Sequence, residues 1–118
     1  MATRELTAEN FKQTVYGNDN VLVYIWAPLC PPCAVLTPTY ERSSDKHPDI
    51  VHGKVNFETE QELVSIAGVT LLPTLMAFKN GKLVFKQAGV ANPAVMDDLV
   101  RQLRAYRVDL PPRQRGLL

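Results

Sequence analysis

Residues 21–33 read Val-Leu-Val-Tyr-Ile-Trp-Ala-Pro-Leu-Cys-Pro-Pro-Cys and hold both cysteines of the chain. The apolar run 21–26 has the length and β-branched content of a buried strand. Pro31 and Pro32 cannot continue a strand, but a proline suits the first turn of a helix, where backbone N–H groups have no partner in any case. The sulfurs therefore belong at a strand-to-helix junction, Cys30 before the first turn and Cys33 inside it. Two cysteines spaced this way bring their sulfurs into bonding distance without moving the chain. The first faces the positive end of the helix dipole, which favours thiolate over thiol. Thiolate is the nucleophile of disulfide exchange, and the second cysteine then resolves the mixed disulfide.

Working outward, 118 residues suit one domain, and a hydrophobic fraction of 46% is normal for a globular core. A net charge of +1, with scattered basic residues, sets up no field for nucleic acid or an anionic membrane. Residues 1–20 hold no apolar run of the signal-peptide kind, and no stretch approaches the ~18 apolar residues of a membrane span. A Cys-x-x-Cys pair as the sole cysteines reads as cytoplasmic and redox-active, not as a secreted disulfide scaffold.

Arg4-Glu5-Leu6 suggests a short edge strand, and Thr7 a cap for a helix to about Tyr16 with Leu6, Phe11 and Val15 inward. Gly17-Asn18-Asp19-Asn20 is a turn cluster. A helix from Pro32 to about Asp45 should bury Val35, Leu36 and Tyr40 and kink at Pro38. Ile50 to Phe57 reads as a strand. Thr59-Glu60-Gln61-Glu62 has the capping-box pattern, opening a helix with Leu63 and Ile66 inward that closes at Gly68. Thr74–Lys79 and Lys82–Gln87 are strands joined by Asn80-Gly81, a strong hairpin signal. Asn92 and Pro93 open a last helix that buries Met96, Leu99, Val100 and Leu103. Strands alternating with helices, then a hairpin, predict an α/β fold: a mixed four- to five-stranded sheet covered by helices on both faces. Residues 1–108 form the domain, and 109–118, rich in proline and arginine, read as an extended tail.

Trp26-Ala27 with Cys30 and Cys33 after a buried strand resembles the thioredoxin family, and the likeness runs from about residue 5 to residue 106. Pro38 falls at the family's helix-kinking proline. Leu72-Pro73-Thr74 resembles its Ile-Pro-Thr, whose proline is cis and lies against the active-site disulfide. Phe78-Lys79-Asn80-Gly81 matches its hairpin, Gly89 its glycine beside the substrate groove, and Lys54 its buried lysine. Glu58 falls at a carboxylate that in relatives meets the indole matching Trp26. The resemblance implies a thioredoxin fold and a protein-disulfide reductase with Cys30 as nucleophile and Cys33 as resolving thiol. Trp26, Leu29, Gly89 and Val90 would form the apolar groove, and Leu72 and Pro73 would offer backbone to an extended substrate segment. It also implies no bound cofactor or metal, a monomer, disulfide-containing protein substrates, and reducing equivalents from NADPH through a flavin thioredoxin reductase.

The departures lie around the cysteines. Where the family has a buried aspartate, the proton acceptor for the resolving thiol, this chain has Tyr24, a neutral hydroxyl at pH 7. Leu29 and Ala34 replace a tryptophan and a lysine, Leu71 a glycine, and Pro31-Pro32 a Gly-Pro pair. Neither proline has an N–H, which leaves that of Cys33 as the close donor to the Cys30 sulfur. Resolution by Cys33 should be slower, since losing a positioned base typically costs ~10²–10⁴-fold. Lys54, without its family partner, should reach solvent, bond Tyr24 or lose its proton more readily. Two prolines stiffen the redox loop and shift its potential.

Other readings of the same residues stand beside this one. Tyr24 can simply fill space in a buried strand, and Trp26 can be core alone. Glu58 and Glu62 read as solvated, and His47 and His52 as surface residues. Loss of the aspartate, tryptophan and lysine motivates a binding or chaperone module with weak redox activity. Its Cys30 needs no pKa below the free-thiol ~8.5. A structural Zn²⁺ takes about four ligands, with only His47 and His52 to complete the set, and an iron–sulfur cluster held in a bridged dimer would show visible absorbance.

Overall fold

The computed structural model describes residues 2–89 and 92–107. Along the chain run β1 (Thr3–Glu5), α1 (Phe11–Tyr16), β2 (Asn20–Trp26), α2 (Pro31–Lys46), β3 (Val51–Asn56), α3 (Gln61–Ala67), β4 (Thr74–Lys79), β5 (Lys82–Ala88) and α4 (Ala94–Ala105). The five strands stand in the order β1-β3-β2-β4-β5. β2, the most apolar strand, lies at the centre, parallel to β3 and antiparallel to β4. The β4–β5 hairpin turns through Asn80 (φ 51°) and Gly81 (φ 81°). Two successive positive φ values match the right-handed twist of the strands, which explains the Asn-Gly pair.

Alternation along β2 divides the core. Leu22 and Tyr24 face α2 and α4, packing with Leu36, Tyr40, Met96, Leu99, Val100 and Leu103. Val21, Val23 and Ile25 face α1 and α3, packing with Leu6, Val15, Val55, Val64, Met76 and Phe78. The four inward side chains of α4 are those its 3.6-residue period predicts, each contributing about 1.5–3 kcal/mol on burial. Lys79, at the end of β4, donates to the Leu103 and Arg104 carbonyls and so satisfies the C-terminus of α4.

Several local expectations are corrected. The α1 helix begins at Phe11; residues 7–10 form a turn in which the Thr7 N–H donates to Asn10 Oδ1, so Thr7 is not a side-chain cap. The α2 helix runs one residue further at each end, and Val35 is 56% exposed. With Cys33, Leu36 and Tyr40 pointing inward, a residue two positions after Cys33 lies on the far side of the helix. The capping box at 59–62 does not form: Glu60 stands at the cap with no side-chain bond, and Val64 is buried while Ile66 is exposed. Gly68 does end α3, in the left-handed conformation (φ 68°). The α4 helix starts at Ala94, whose N–H is bonded by Asn92 Oδ1, one residue after the expected start. His52 is 1% exposed rather than on the surface, held by Ser43 Oγ at 2.9 Å and the Ile50 carbonyl at 2.8 Å. Val90 and residues 109–118 lie outside the described residues.

Candidate active site

Cys30 and Cys33 are joined by a disulfide where β2 hands over to α2, with their Cα atoms 5.2 Å apart. Cys30 is the extended N-cap of α2, and Pro31 and Pro32 occupy the first turn. The Cys33 N–H donates to Cys30 Sγ at 3.2 Å, the close donor that two N–H-less prolines leave. Cys30 is half-buried and Cys33 only 1% exposed. The sulfur that meets solvent is therefore the one at the positive helix end, where thiolate is favoured.

Two of the other expected residues, Pro73 and Gly89, meet each other. The Leu72–Pro73 bond is cis, and the Pro73 carbonyl accepts from the Gly89 N–H at 2.8 Å, tying the start of β4 to the end of β5. Pro73 is buried, Leu72 is half-buried, and Gly89 is exposed. Leu29 is 89% exposed beside Cys30, and Leu71 and Val35 are also open. The stretches 21–40, which holds the disulfide, and 68–78 contain no charged residue.

Tyr24 is fully buried, with burial pushing its hydroxyl above the ordinary value against the opposing effect of its bond to Thr37. It is a neutral hydrogen-bonding group. Its Oη stands 2.9 Å from the Cys33 carbonyl oxygen and 2.8 Å from Thr37 Oγ1, which itself donates to that carbonyl at 2.9 Å. Thr37 was missed from sequence, although its i+4 spacing from Cys33 is the one at which a helical hydroxyl bonds back to a carbonyl.

Lys54, beside Tyr24 in the β2–β3 register, is mostly buried and turns toward α2 rather than to Tyr24. Its Nζ lies 3.8 Å from Glu41 Oε1 and 4.8 Å from the centroid of the Trp26 ring. At 3.8 Å the contact is an ion pair without a hydrogen bond, and Glu41 Oε1 has no hydrogen-bond partner among the described residues. No local pattern marks Glu41 as the partner of a lysine on another element. Glu58 is exposed, with its N–H on Asn56 Oδ1; the buried Trp26 Nε1 has no hydrogen-bond partner among the described residues, so Glu58 does not meet the indole. Trp26 itself is half-buried against the α2/α4 core cluster, as is Cys30. Among the described residues, no group of three or more His, Cys, Asp or Glu is placed to hold a metal ion.

The thioredoxin family model matches residues 2–104. A relative from Streptomyces coelicolor, "Putative thioredoxin 2", is 41% identical over 108 residues, covering 92% of this chain and 81% of that protein. The "Thioredoxin" of Alicyclobacillus acidocaldarius is 37% identical over 75% of this chain and 85% of its own. A solved thioredoxin of Plasmodium falciparum superposes with a TM-score of 0.80 at 28% identity, covering 85% of this chain and 98% of that one.

Proposed function

From a chain that belongs to the thioredoxin family and is a thiol-disulfide oxidoreductase, we propose a reductant of protein disulfides in which Cys30 attacks and Cys33 resolves. The observation that carries this reading is the half-buried Cys30 sulfur at the N-terminus of α2, bonded by the Cys33 N–H. In the dithiol state the Cys30 thiolate attacks one sulfur of a substrate disulfide. A mixed disulfide forms, and the other substrate sulfur leaves as a thiolate that takes a proton from solvent. Cys33 then loses its proton and attacks Cys30 Sγ, releasing the second substrate thiolate and forming the Cys30–Cys33 disulfide. Two electrons have passed to the substrate, and the disulfide state described above is the oxidised product.

Leu29, Leu72, Pro73, Gly89 and Val90 are the proposed substrate contacts. The uncharged sequence around Cys30 and the exposure of Leu29 support apolar contact with an extended segment. Trp26, Pro31 and Pro32 shape the site, with the Lys54 ammonium over the Trp26 ring. Glu58, exposed and turned to its own loop, keeps only a peripheral place. With Tyr24 neutral, Cys33 must give its proton to solvent or buffer, so resolution is slower than with a carboxylate at that position. The reductant proposed is NADPH acting through a flavin thioredoxin reductase, the setting is cytoplasmic, and the working unit is a monomer. No helix among the described residues is long and apolar enough to cross a membrane.

The test is insulin-disulfide reduction driven by dithiothreitol and, separately, by NADPH with thioredoxin reductase, with Tyr24→Asp run alongside. Turnover in both, faster for Tyr24→Asp at neutral pH, supports the reading. Turnover with dithiothreitol alone removes the proposed reductase, and an equally fast Tyr24→Asp overturns the limiting role of the missing carboxylate.

A further inference from the structure

We propose that Tyr24 and Thr37 are positioning residues for the resolving step, a pair of hydroxyls that hold the Cys33 main chain in place while Cys30 is tied to substrate. The proposal rests on Cys33 being the resolving thiol.

Pro38 gives the brace its place in the helix. Pro31 and Pro32 bring no N–H to the first turn of α2, and Pro38, inside the helix, leaves the Ala34 carbonyl without its helical donor. The first-turn prolines cost no helical bond, since N–H groups there have no partner in any case, but Pro38 removes one from the turn that follows Cys33. In the disulfide state the Cys30–Cys33 bond itself fixes the turn. In the mixed disulfide that link is broken, and Cys30 is bonded to substrate instead. Besides the packing of Cys33 and Leu36 against the sheet, the hydroxyl network still ties the Cys33 main chain to β2.

The network reaches across two elements. Tyr24 comes from the centre of β2 with its ring at 0% exposure and packed against Tyr40 at 4.8 Å between centroids, so its Oη position is fixed by the core. Tyr40 is anchored in turn by its hydroxyl, 2.7 Å from the Gly53 carbonyl and 3.2 Å from that of Leu22. Tyr24 Oη, Thr37 Oγ1 and the Cys33 carbonyl oxygen form a closed triangle with sides of 2.9, 2.8 and 2.9 Å. Two hydroxyl protons serve it, so one hydroxyl donates to the carbonyl and the other either shares that acceptor or donates to its neighbour. A reacting sulfur displaced by about 1 Å loses on the order of 10² in rate. Restraint of the Cys33 backbone therefore acts mainly on the attack of Cys33, and reaches the attack of Cys30, outside the triangle, only through the Cys33 N–H.

The experiment uses the reduced full-length protein and 5,5′-dithiobis(2-nitrobenzoate). Attack of Cys30 on its disulfide releases one thionitrobenzoate and leaves the other on Cys30. Attack of Cys33 on Cys30 Sγ, with its proton passing to solvent, releases the second and closes the Cys30–Cys33 disulfide. The two releases are read as separate phases by stopped flow. Tyr24→Phe and Thr37→Val should slow the second phase about tenfold, the equivalent of one buried hydrogen bond, and leave the first within about twofold. Thr37→Ser, which keeps the hydroxyl, should stay near the parent in both. Equal slowing of both phases, or a fall in melting temperature with neither phase changed, would overturn the positioning role. Thr37, only half-buried, tolerates substitution and keeps the test decisive if Tyr24→Phe folds poorly. Cys33→Ser separates the two readings. It should release one equivalent only, and a second equivalent at the parent rate would show that Cys33 does not resolve, independently of the hydroxyls.

Discussion

Lys54 and Glu41 face each other between β3 and α2, ammonium to carboxylate at 3.8 Å, with side chains only 16% and 13% exposed. The carboxylate that the family places on β2 is absent here, and the lysine is instead balanced from the helix. Removing one partner leaves a mostly buried charge without its counter-ion. Glu41→Gln should lower stability by about 1–3 kcal/mol, at the small end if water reaches the pair. Replacing both, as Glu41→Gln with Lys54→Met, should cost less than the sum of the single changes. Denaturant titration of the four proteins measures the coupling, and strict additivity would show that the pair contributes nothing. Because Lys54 also lies over the sole tryptophan, Lys54→Met should shift Trp26 emission as well.

Folding stability should decline as pH falls through the histidine range. Burial holds the His52 imidazole below its ordinary value, partly opposed by its bond to the Ile50 carbonyl. His47 lowers it further, whereas Asp49 and Glu41 raise it. The folded protein keeps His52 neutral while the unfolded chain takes up a proton at about pH 6.5. The unfolded state then binds more protons, so the contribution is full above that pH and is lost as pH falls below it. Asp49, held low by its hydrogen bond from Arg104, contributes only in a more acidic window, losing its effect as pH drops through its depressed folded value. Urea midpoints at pH 7.5 and 5.5 should differ more for the parent than for His52→Gln; parallel curves would contradict the assignment.

Gly53 should not tolerate alanine. It sits in β3 between β1 and β2, and an added Cβ would overlap Leu6 Cδ1 and come within 2.7 Å of Leu6 Cγ. Leu6 is itself buried in the α1/α3 cluster and cannot swing away freely. Gly53→Ala should destabilise by about 1–3 kcal/mol through overpacking. A melting curve indistinguishable from the parent would show that Leu6 repacks at no cost.

Elements set by local rules were legible from the sequence: the strand 21–26, the proline-opened helix, the Asn80-Gly81 hairpin and the inward face of α4 all follow from periodicity or turn chemistry within a few residues. What escaped depends on partners far along the chain. His52 reads as polar and exposed, yet it lies on a strand covered on both faces and bonds Ser43 from α2. The Thr59–Glu62 pattern fits a capping box, but the chain there turns through 57–59 and enters α3 without using it. Val35 and Ile66 read as inward by hydrophobicity, whereas the phase of each helix is fixed by its other buried residues. The cysteines and the proposed contacts Pro73 and Gly89 carried signals, while the link from Tyr24 through Thr37 to the Cys33 carbonyl required the packing of β2 under α2.

The most direct test of dithiol exchange is dithiothreitol-driven reduction of insulin by the parent, Cys30→Ser and Cys33→Ser proteins, followed by turbidity. The account predicts turnover well above dithiothreitol alone for the parent, none above it for Cys30→Ser, and for Cys33→Ser a protein that accumulates as a mixed disulfide with insulin through Cys30. A parent no faster than dithiothreitol, or a Cys30→Ser variant as active as the parent, would contradict it.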